Sequence, residues 1–308
     1  MLMKKQVILA KIESTYNTDP TPTVSADEIF VDSIEESNEG LKILERNGPK
    51  NTLGPLPPVY AGTLKQITLT VRARGSGAAG TAPEFGCLLR ACGFLETVNA
   101  STSVVYTPRS SSFESVTIYR YYDGKLHKYT GCVGNVSMNQ DTGDFHVFTF
   151  TMLGHFVSET DVALVTPTYD ATTPIPAING TFTFDSYNAV IGNLSFDMGN
   201  AVAQAVDYNS SDGYGTIQIT NRAVTGSFDP EDVTVATYDF WAEFIGLTTA
   251  AMSTAAIGPA AGNYMALTFP AIKFTNVSGA DRDGILTRTI EYMAAESSGN
   301  DQVTITFT

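Results

Sequence analysis

Apolar and polar positions alternate with period two along most of the chain, the signature of half-buried β-strands. Leu64-Lys-Gln-Ile-Thr-Leu-Thr-Val-Arg-Ala-Arg74 reads as one such strand. Val116–Tyr122 and Lys125–Thr130 flank Asp123-Gly124, a dipeptide suited to the positive φ of a type I′ hairpin turn. Val133–Met138 and Phe145–Met152 flank Asn139–Asp144 and predict a second hairpin. The first half holds one helical pattern: Pro83 suits the first turn, Phe85, Leu88, Leu89 and Cys92 give an apolar face, and Gly93 closes it.

The second half follows the same order. Asn188–Met198, Gly215–Thr220 and Thr225–Asp229 read as strands, and Tyr238–Gly246 as a helix with Trp241 turned to the core. Strands at Met265–Phe269 and Ala271–Thr275 precede a polar loop, Asn276–Gly284, then strands at Ile285–Met293 and Val303–Thr308. Phe85 registers with Tyr238, Leu88 with Trp241 and Gly93 with Gly246, while Asp144 falls close to Asp283. The pattern predicts a mainly β protein of two tandem units, residues 27–165 and 180–308, each a β-barrel or sandwich with one packed helix. Residues 166–179 form the linker. Residues 1–26 read as an extended N-terminal arm, because the prolines of Asp19-Pro-Thr-Pro-Thr23 fix φ and hold their predecessors extended.

Composition narrows the function. The 308 residues are 43% apolar, enough for a sizeable core, and only 16% charged, with 18 basic residues against 32 acidic. Residues 1–128 carry 14 of the basic and 13 of the acidic residues, and no Lys or Arg lies between Lys128 and Arg222. Proteins that grip nucleic acid present Lys/Arg surfaces, so a DNA-holding role is disfavoured. A cation-poor second half rich in Ser, Thr and Asn suggests surfaces covered by partner subunits and one acidic face left free. No stretch is long and apolar enough to span a membrane or to form a signal-peptide core.

The candidate chemical motifs fail on context. Gly75-Ser-Gly-Ala-Ala-Gly80 has dinucleotide-loop spacing, but the strand before it carries Lys65, Arg72 and Arg74, and the helix starts too late to seat a pyrophosphate. It reads as a loop. Asp281-Arg-Asp-Gly284 lacks the acids a calcium loop needs at its first and last positions and reads as a hairpin turn. Cys87, Cys92 and Cys132 form no C-x-x-C pair and read as buried small hydrophobes. His127, His146 and His155 show no metal spacing. The expectation is no enzyme, no cofactor and no metal.

Several stretches resemble a known family. Lys11–Thr23, Gly80–Phe94, Tyr106–Pro108, Phe113–Tyr119, Asp123–Ser137, Ser195-Phe-Asp-Met-Gly-Asn200 and Ile219–Ser227 are similar, in order along the chain, to major tail tube proteins of long-tailed, non-contractile bacteriophages. Asn17 stands where that pattern leads one to expect glycine. Asn47–Pro58 and Thr249–Ala261 are the least family-like stretches.

The resemblance implies a structural protein whose copies form trimeric rings of pseudo-sixfold symmetry, stacked helically into a tube. It implies contacts with tape-measure, tail terminator and distal tail proteins, and passage of double-stranded DNA without specific binding or membrane insertion. The site would be the virion tail, assembled in the host bacterial cytoplasm. On this reading Thr18, Asp19, Pro20, Thr21, Pro22 and Thr23 form an arm bridging rings, with the loops Ile34–Pro58 and Arg74–Pro83 as further contacts. Asp141, Asp144, Asp197, Asp281 and Asp283 are the candidate acids of an acidic lumen. The competing expectation is a surface binding module for a glycan or receptor, with Tyr119, Tyr121 and Tyr122 as an aromatic platform.

Overall fold

The computed structural model describes residues 2–38 and 40–308; Met1 and Glu39, in the expected arm and the expected 34–58 contact loop, lie outside them. The chain is mainly β with two short helices, and its sheets do not close into a barrel, which fits the sandwich form of the expected fold.

The first strand already departs from the expected arm. β1 (Gln6–Ile12) buries Val7, Ile8, Leu9 and Ala10, and each of its seven residues has a partner in a later strand, from Gln6 opposite Tyr122 to Ile12 opposite Val116. A continuous apolar run marks a strand covered on both faces, not a free extension. Residues 2–5 and those between β1 and β2 (Glu28–Ile29) are irregular.

Next come β3 (Ser33–Ser37), β4 (Leu41–Leu44) and β5 (Val59–Arg72), in which Ile67, Leu69 and Val71 point inward and Thr68 and Thr70 outward. Helix α1 (Gly86–Ala91) buries Phe85, Leu88, Leu89 and Cys92 completely, as its apolar face predicts. β6 (Phe94–Asn99) and β7 (Ser103–Pro108) pair with each other, and β8 (Val116–Tyr122) pairs with β1. The predicted second hairpin is longer than its apolar positions show: β9 (Lys125–Asp141) and β10 (His146–Asp161) run 17 and 16 residues.

The linker region packs closely. Ile175 is fully buried, its N–H donates to Ala73 O at 2.8 Å, and its carbonyl accepts from His146 N at 3.3 Å. The glycine-rich loop of residues 75–80 also has a packing reason. Gly75 N donates to Asn263 Oδ1 at 2.7 Å, and a Cβ on Gly75 would sit 2.1 Å from Gly262 O, so only glycine lets the two backbones meet.

The second half has β11 (Phe182–Phe184), β12 (Tyr187–Asn188), β13 (Ile191–Asp197), β14 (Asn200–Val206), β15 (Tyr214–Arg222) and β16 (Thr225–Pro230). Helix α2 (Phe240–Ile245) is capped by Asp239, whose Oδ1 accepts from Trp241 N at 3.1 Å and Ala242 N at 2.9 Å. Trp241 is 53% exposed, against the core position expected for it; Phe240 is the buried residue of this helix. β17 (Ala250–Thr254), β18 (Met265–Arg282), β19 (Ile285–Ala294) and β20 (Thr304–Phe307) complete the chain.

The predicted polar loop at 276–284 is instead strand. β18 continues through Pro270 to Arg282 and pairs with β19 as far as Arg282 opposite Ile285. Asp283 and Gly284, at φ 55° and 85°, make the two-residue turn. Polarity there marks two solvated faces rather than a break in the ladder. Pro270 is tolerated because it lies between the residues that pair with β20, Met265–Thr268, and those that pair with β19, from Ile272.

The pairing order occurs twice. β3 pairs with β5, β5 with β10 and β10 with β9; likewise β13 pairs with β16, β16 with β19 and β19 with β18. The two series join edge to edge, since β8 leaves β9 at Cys132 and β13 takes the same edge from Ser137 to Asp141. A second joint links β20 to β7. One core cluster underlies both series, and Phe148 and Phe196 stand 6.5 Å apart within it.

Candidate functional site

Alternation on the joined strands sends one set of side chains into the core and the other onto a shared open face. On β9, Val136, Met138 and Gln140 are buried, so Asn135, Ser137, Asn139 and Asp141 face outward. Thr149 and Thr151 of β10, Asn193, Ser195 and Asp197 of β13, and Thr225, Ser227 and Asp229 of β16 lie on the same side. The result is a shallow depression floored by hydroxyls, amides and carboxylates. β10, β13, β16 and residues 133–141 of β9 contain no Lys or Arg.

Short polar contacts tie this face together. Asn193 Nδ2 donates to Asp141 Oδ1 at 2.7 Å and to Asn139 Oδ1 at 3.0 Å, and Asn139 Nδ2 donates to Asp141 Oδ2 at 2.9 Å. Asp197 Oδ1 accepts from Asn135 Nδ2 and Gly199 N, both at 2.7 Å, and the Ser195 and Ser227 hydroxyls meet at 2.9 Å. Charge-assisted bonds of this kind fix the carboxylates in place without neutralising them. Cations on adjoining strands are paired with acids: Arg72 with Asp32, Arg282 with Glu231 and with Asp229 at the border of this face, and Arg288 with Asp232.

The five expected lumen acids therefore separate into two groups. Asp141 and Asp197 lie on the polar face at the β9–β13 junction. Asp144, Asp281 and Asp283 occupy the turn regions of the two long hairpins, all exposed. The hairpin ends are neighbours, because Thr142 N donates to Gly192 O at 2.8 Å while Gly192 N donates to Asp229 Oδ1, which belongs to the partner of Arg282.

The segment after β1 is docked on its own chain. Glu13, 7% exposed, accepts from Asn17 N at 2.7 Å, Ser115 Oγ at 2.6 Å, Thr117 Oγ1 at 2.6 Å and Gly131 N at 2.7 Å. Tyr16 Oη accepts from Ile217 N at 2.7 Å and meets His155 Nε2 at 3.2 Å, and His155 Nδ1 meets Asp212 Oδ2 at 2.6 Å. Burial pushes the Tyr16 phenol up to about 12. Burial opposes ionisation of Asp212, but the Ser210 and His155 hydrogen bonds outweigh it and pull the carboxyl down to about 2. Asn17 sits at φ 57°, which accounts for the glycine expected there, since asparagine tolerates the left-handed region.

Within the expected bridging segment, Asp19 accepts from Thr21 N at 2.8 Å, from Lys128 Nζ at 3.3 Å and from the Tyr119 hydroxyl. Burial disfavours its charge, yet these donors hold its carboxyl below the usual range. Pro22 is buried, Pro20 half-buried, and Thr18, Thr21 and Thr23 are exposed. The aromatic platform expected for a glycan does not form: Tyr119 and Tyr121 are buried, and the half-buried Tyr122 bonds His127 Nε2 at 2.8 Å.

Sequence reasoning missed Glu36, which joins the packed layers by accepting from Arg120 Nη1 at 2.6 Å, from His127 Nδ1 at 3.0 Å and from the Tyr129 hydroxyl. Burial works against its charge, but the His127, Tyr129 and Arg120 hydrogen bonds win and lower it to about 2. Glu13 was missed as well. Its partners lie up to 118 residues away, beyond any local motif.

The chain matches the phage tail tube protein family over residues 3–308. It belongs to that family. A search of curated proteins gives no match. Membership makes the chain a structural component of a virion tail, of a kind that assembles with itself and other tail proteins into a tube. Among the described residues no helix is long and apolar enough to cross a membrane. The cysteines suit a structural role: Cys92 and Cys132 are buried, and burial raises the Cys87 thiol to about 12.

Proposed function

We propose that the chain builds the tube of a long, non-contractile phage tail from two tandem β units, residues 27–165 and 180–308, and that the polar face across β10, β9, β13 and β16 lines the bore. The observation that carries this reading is the run of outward Thr, Ser, Asn and Asp positions on β10, β13, β16 and residues 133–141 of β9, which hold no Lys or Arg. Duplex DNA binds proteins through phosphate neutralisation and counterion release. A wall without cations offers no such gain, and fixed carboxylates at Asp141 and Asp197 repel the phosphates. Screening confines this repulsion to about 10 Å at 0.1 M salt, so the acids must stand at the wall itself to act. The genome then slides rather than sticks.

Copies stack as rings, trimeric with pseudo-sixfold symmetry, and the exposed part of residues 18–23 bridges one ring to the next. Tape-measure, terminator and distal tail proteins meet the tube within and at its ends, and assembly takes place in the host bacterial cytoplasm. The test is a phage carrying Asn139→Lys and Asp141→Lys, both exposed on the face. Tails should form at normal length while plaque formation falls at least tenfold. Normal infectivity in that phage refutes the bore assignment.

A further inference from the structure

The β9–β13 junction is a contact between the ends of two like series of strands, and it is closed within the chain. β13 holds in the second series the place that β3 holds in the first, and β18 holds the place of β9. The matching edges stand open. Among the described residues no strand pairs with the side of β3 turned away from β5, and none with β18 beyond Ile272 on the side away from β19. Long open edges invite pairing with another chain.

We propose that these two edges pair with each other between copies, β18 of one chain with β3 of the next, antiparallel and in the register of the internal junction. This contact rests on the tube-forming reading and names the residues that would make it. The register follows from two cross-strand rows. Ser33, Thr70, Thr149 and Ser137 lie opposite one another in turn, as do Ser195, Ser227, Glu291 and Asn276. Ser137 then faces Asp197, two residues past Ser195. By the same step Asn276 faces Glu35 of the next copy, Val277 faces its Ile34, and Ser278 faces its Ser33.

The residues agree with that register. Ser33-Ile-Glu-Glu-Ser-Asn38 sits in the place of Ser195-Phe-Asp-Met-Gly-Asn200, matching serine, large apolar residue, acid and asparagine. Phe196 and Met138, opposite each other across the closed junction, are each 1% exposed. Ile34 and Val277 are only half-buried. They lack the cover their counterparts have.

A second pair of surfaces fits the same docking. Asn200 closes the end of α1, its Nδ2 donating to Cys92 O at 2.7 Å, and Ile219 of the β14–β15 hairpin lies against Gly93. The corresponding end of α2 is closed by Lys273, whose Nζ donates to Glu243 O at 2.8 Å and to Gly246 O, but Trp241, Ile245 and Leu247 around it stay exposed. The β4–β5 hairpin, placed beside β3 as β14–β15 is beside β13, leaves Ile43, Leu44, Val59 and Tyr60 exposed. Docking β3 onto β18 brings this apolar hairpin to α2. Because the two edges differ, the contact is head-to-tail, and such contacts close into rings.

Directly opposed, non-hydrogen-bonded residues approach closely enough for a disulfide. Met198 N bonds Val136 O and Thr142 N bonds Gly192 O, so Ser195 and Asn139 form such a pair, and Ser33 and Ser278 take their place between copies. The experiment oxidises purified tubes of Ser33→Cys/Ser278→Cys and runs them on a denaturing, non-reducing gel. A ladder of linked chains is expected, with each single variant staying unlinked. Asn139→Cys/Ser195→Cys should close within one chain and migrate as monomer. Tubes that form without a ladder, while the internal pair closes, overturn the edge pairing and leave the tube reading standing. Failure of the unaltered chain to make tubes at all overturns both. Val277→Lys gives a check free of cysteine chemistry: monomer melting should hold while tube formation is lost, and unimpaired tubes count against the contact.

Discussion

Glu13 is held by four neutral donors in a nearly dry site, so its contribution can be tested by removing its charge alone. Hydrogen bonds to a charged group are worth roughly 1.5–3 kcal/mol each, and a buried donor left unpaired costs more than the bond gained. Glu13→Gln should lower the unfolding free energy by about 3 kcal/mol in urea titration; a change under about 0.5 kcal/mol would remove Glu13 as the anchor of residues 13–17. Glu36 and Asp212 contribute to the acid limit. Their folded pKa values, both about 2, lie below the ordinary 4.5 and 3.8, so the unfolded chain takes up protons first as pH falls. Their stabilisation is complete above about pH 5 and is lost between there and pH 2. Melting temperature should fall through that window, and Glu36→Gln should flatten the fall while lowering the melting point at pH 7. A parallel fall in variant and parent would discard Glu36 as the titrating group. None of these residues was legible as a site in the sequence. Each gains its role from partners brought from another strand, as Glu36 does from Arg120, His127 and Tyr129.

At the scale of elements, period-two alternation locates the hairpins, and an apolar run closed by glycine locates the two helices. Alternation fails where both faces share a character. β1 is apolar on both sides and so reads as part of the arm, while the outer half of β18 is polar on both sides and so reads as a loop. The matched helices also differ for a reason no local pattern carries: β6, β7 and β20 extend the sheet on the α1 side, whereas α2 keeps Trp241 in solvent. These differences change how the arm is tested. Deleting residues 1–24 would remove a core strand paired along its whole length with β8, and should unfold the chain. Replacing Thr18–Thr23 alone with a Gly/Ser segment keeps β1. That variant should fold with a melting point within a few degrees of the parent, yet give rings that stack into short tubes by negative-stain microscopy. Tubes of parental length would end the bridging role of this segment.

For the whole molecule, the net charge of −14 acts through its placement. A uniformly acidic coat would serve solubility alone. Here strands β10, β13 and β16 carry no cation, and the arginines beside them are tied to acids, so this face offers phosphates no free positive charge. The sequence showed the missing cations and two of the acids on this face, Asp141 and Asp197. The neutral majority of this face, such as Thr149, Ser137 and Ser195, is visible only where the β9–β13 junction sets two series of strands side by side. A density map of assembled tails, sharp enough to trace strands, shows directly which face lines the bore. Asn139, Asp141, Ser195 and Asp197 should border the bore; a map that turns this face to the outside of the tube contradicts the assignment.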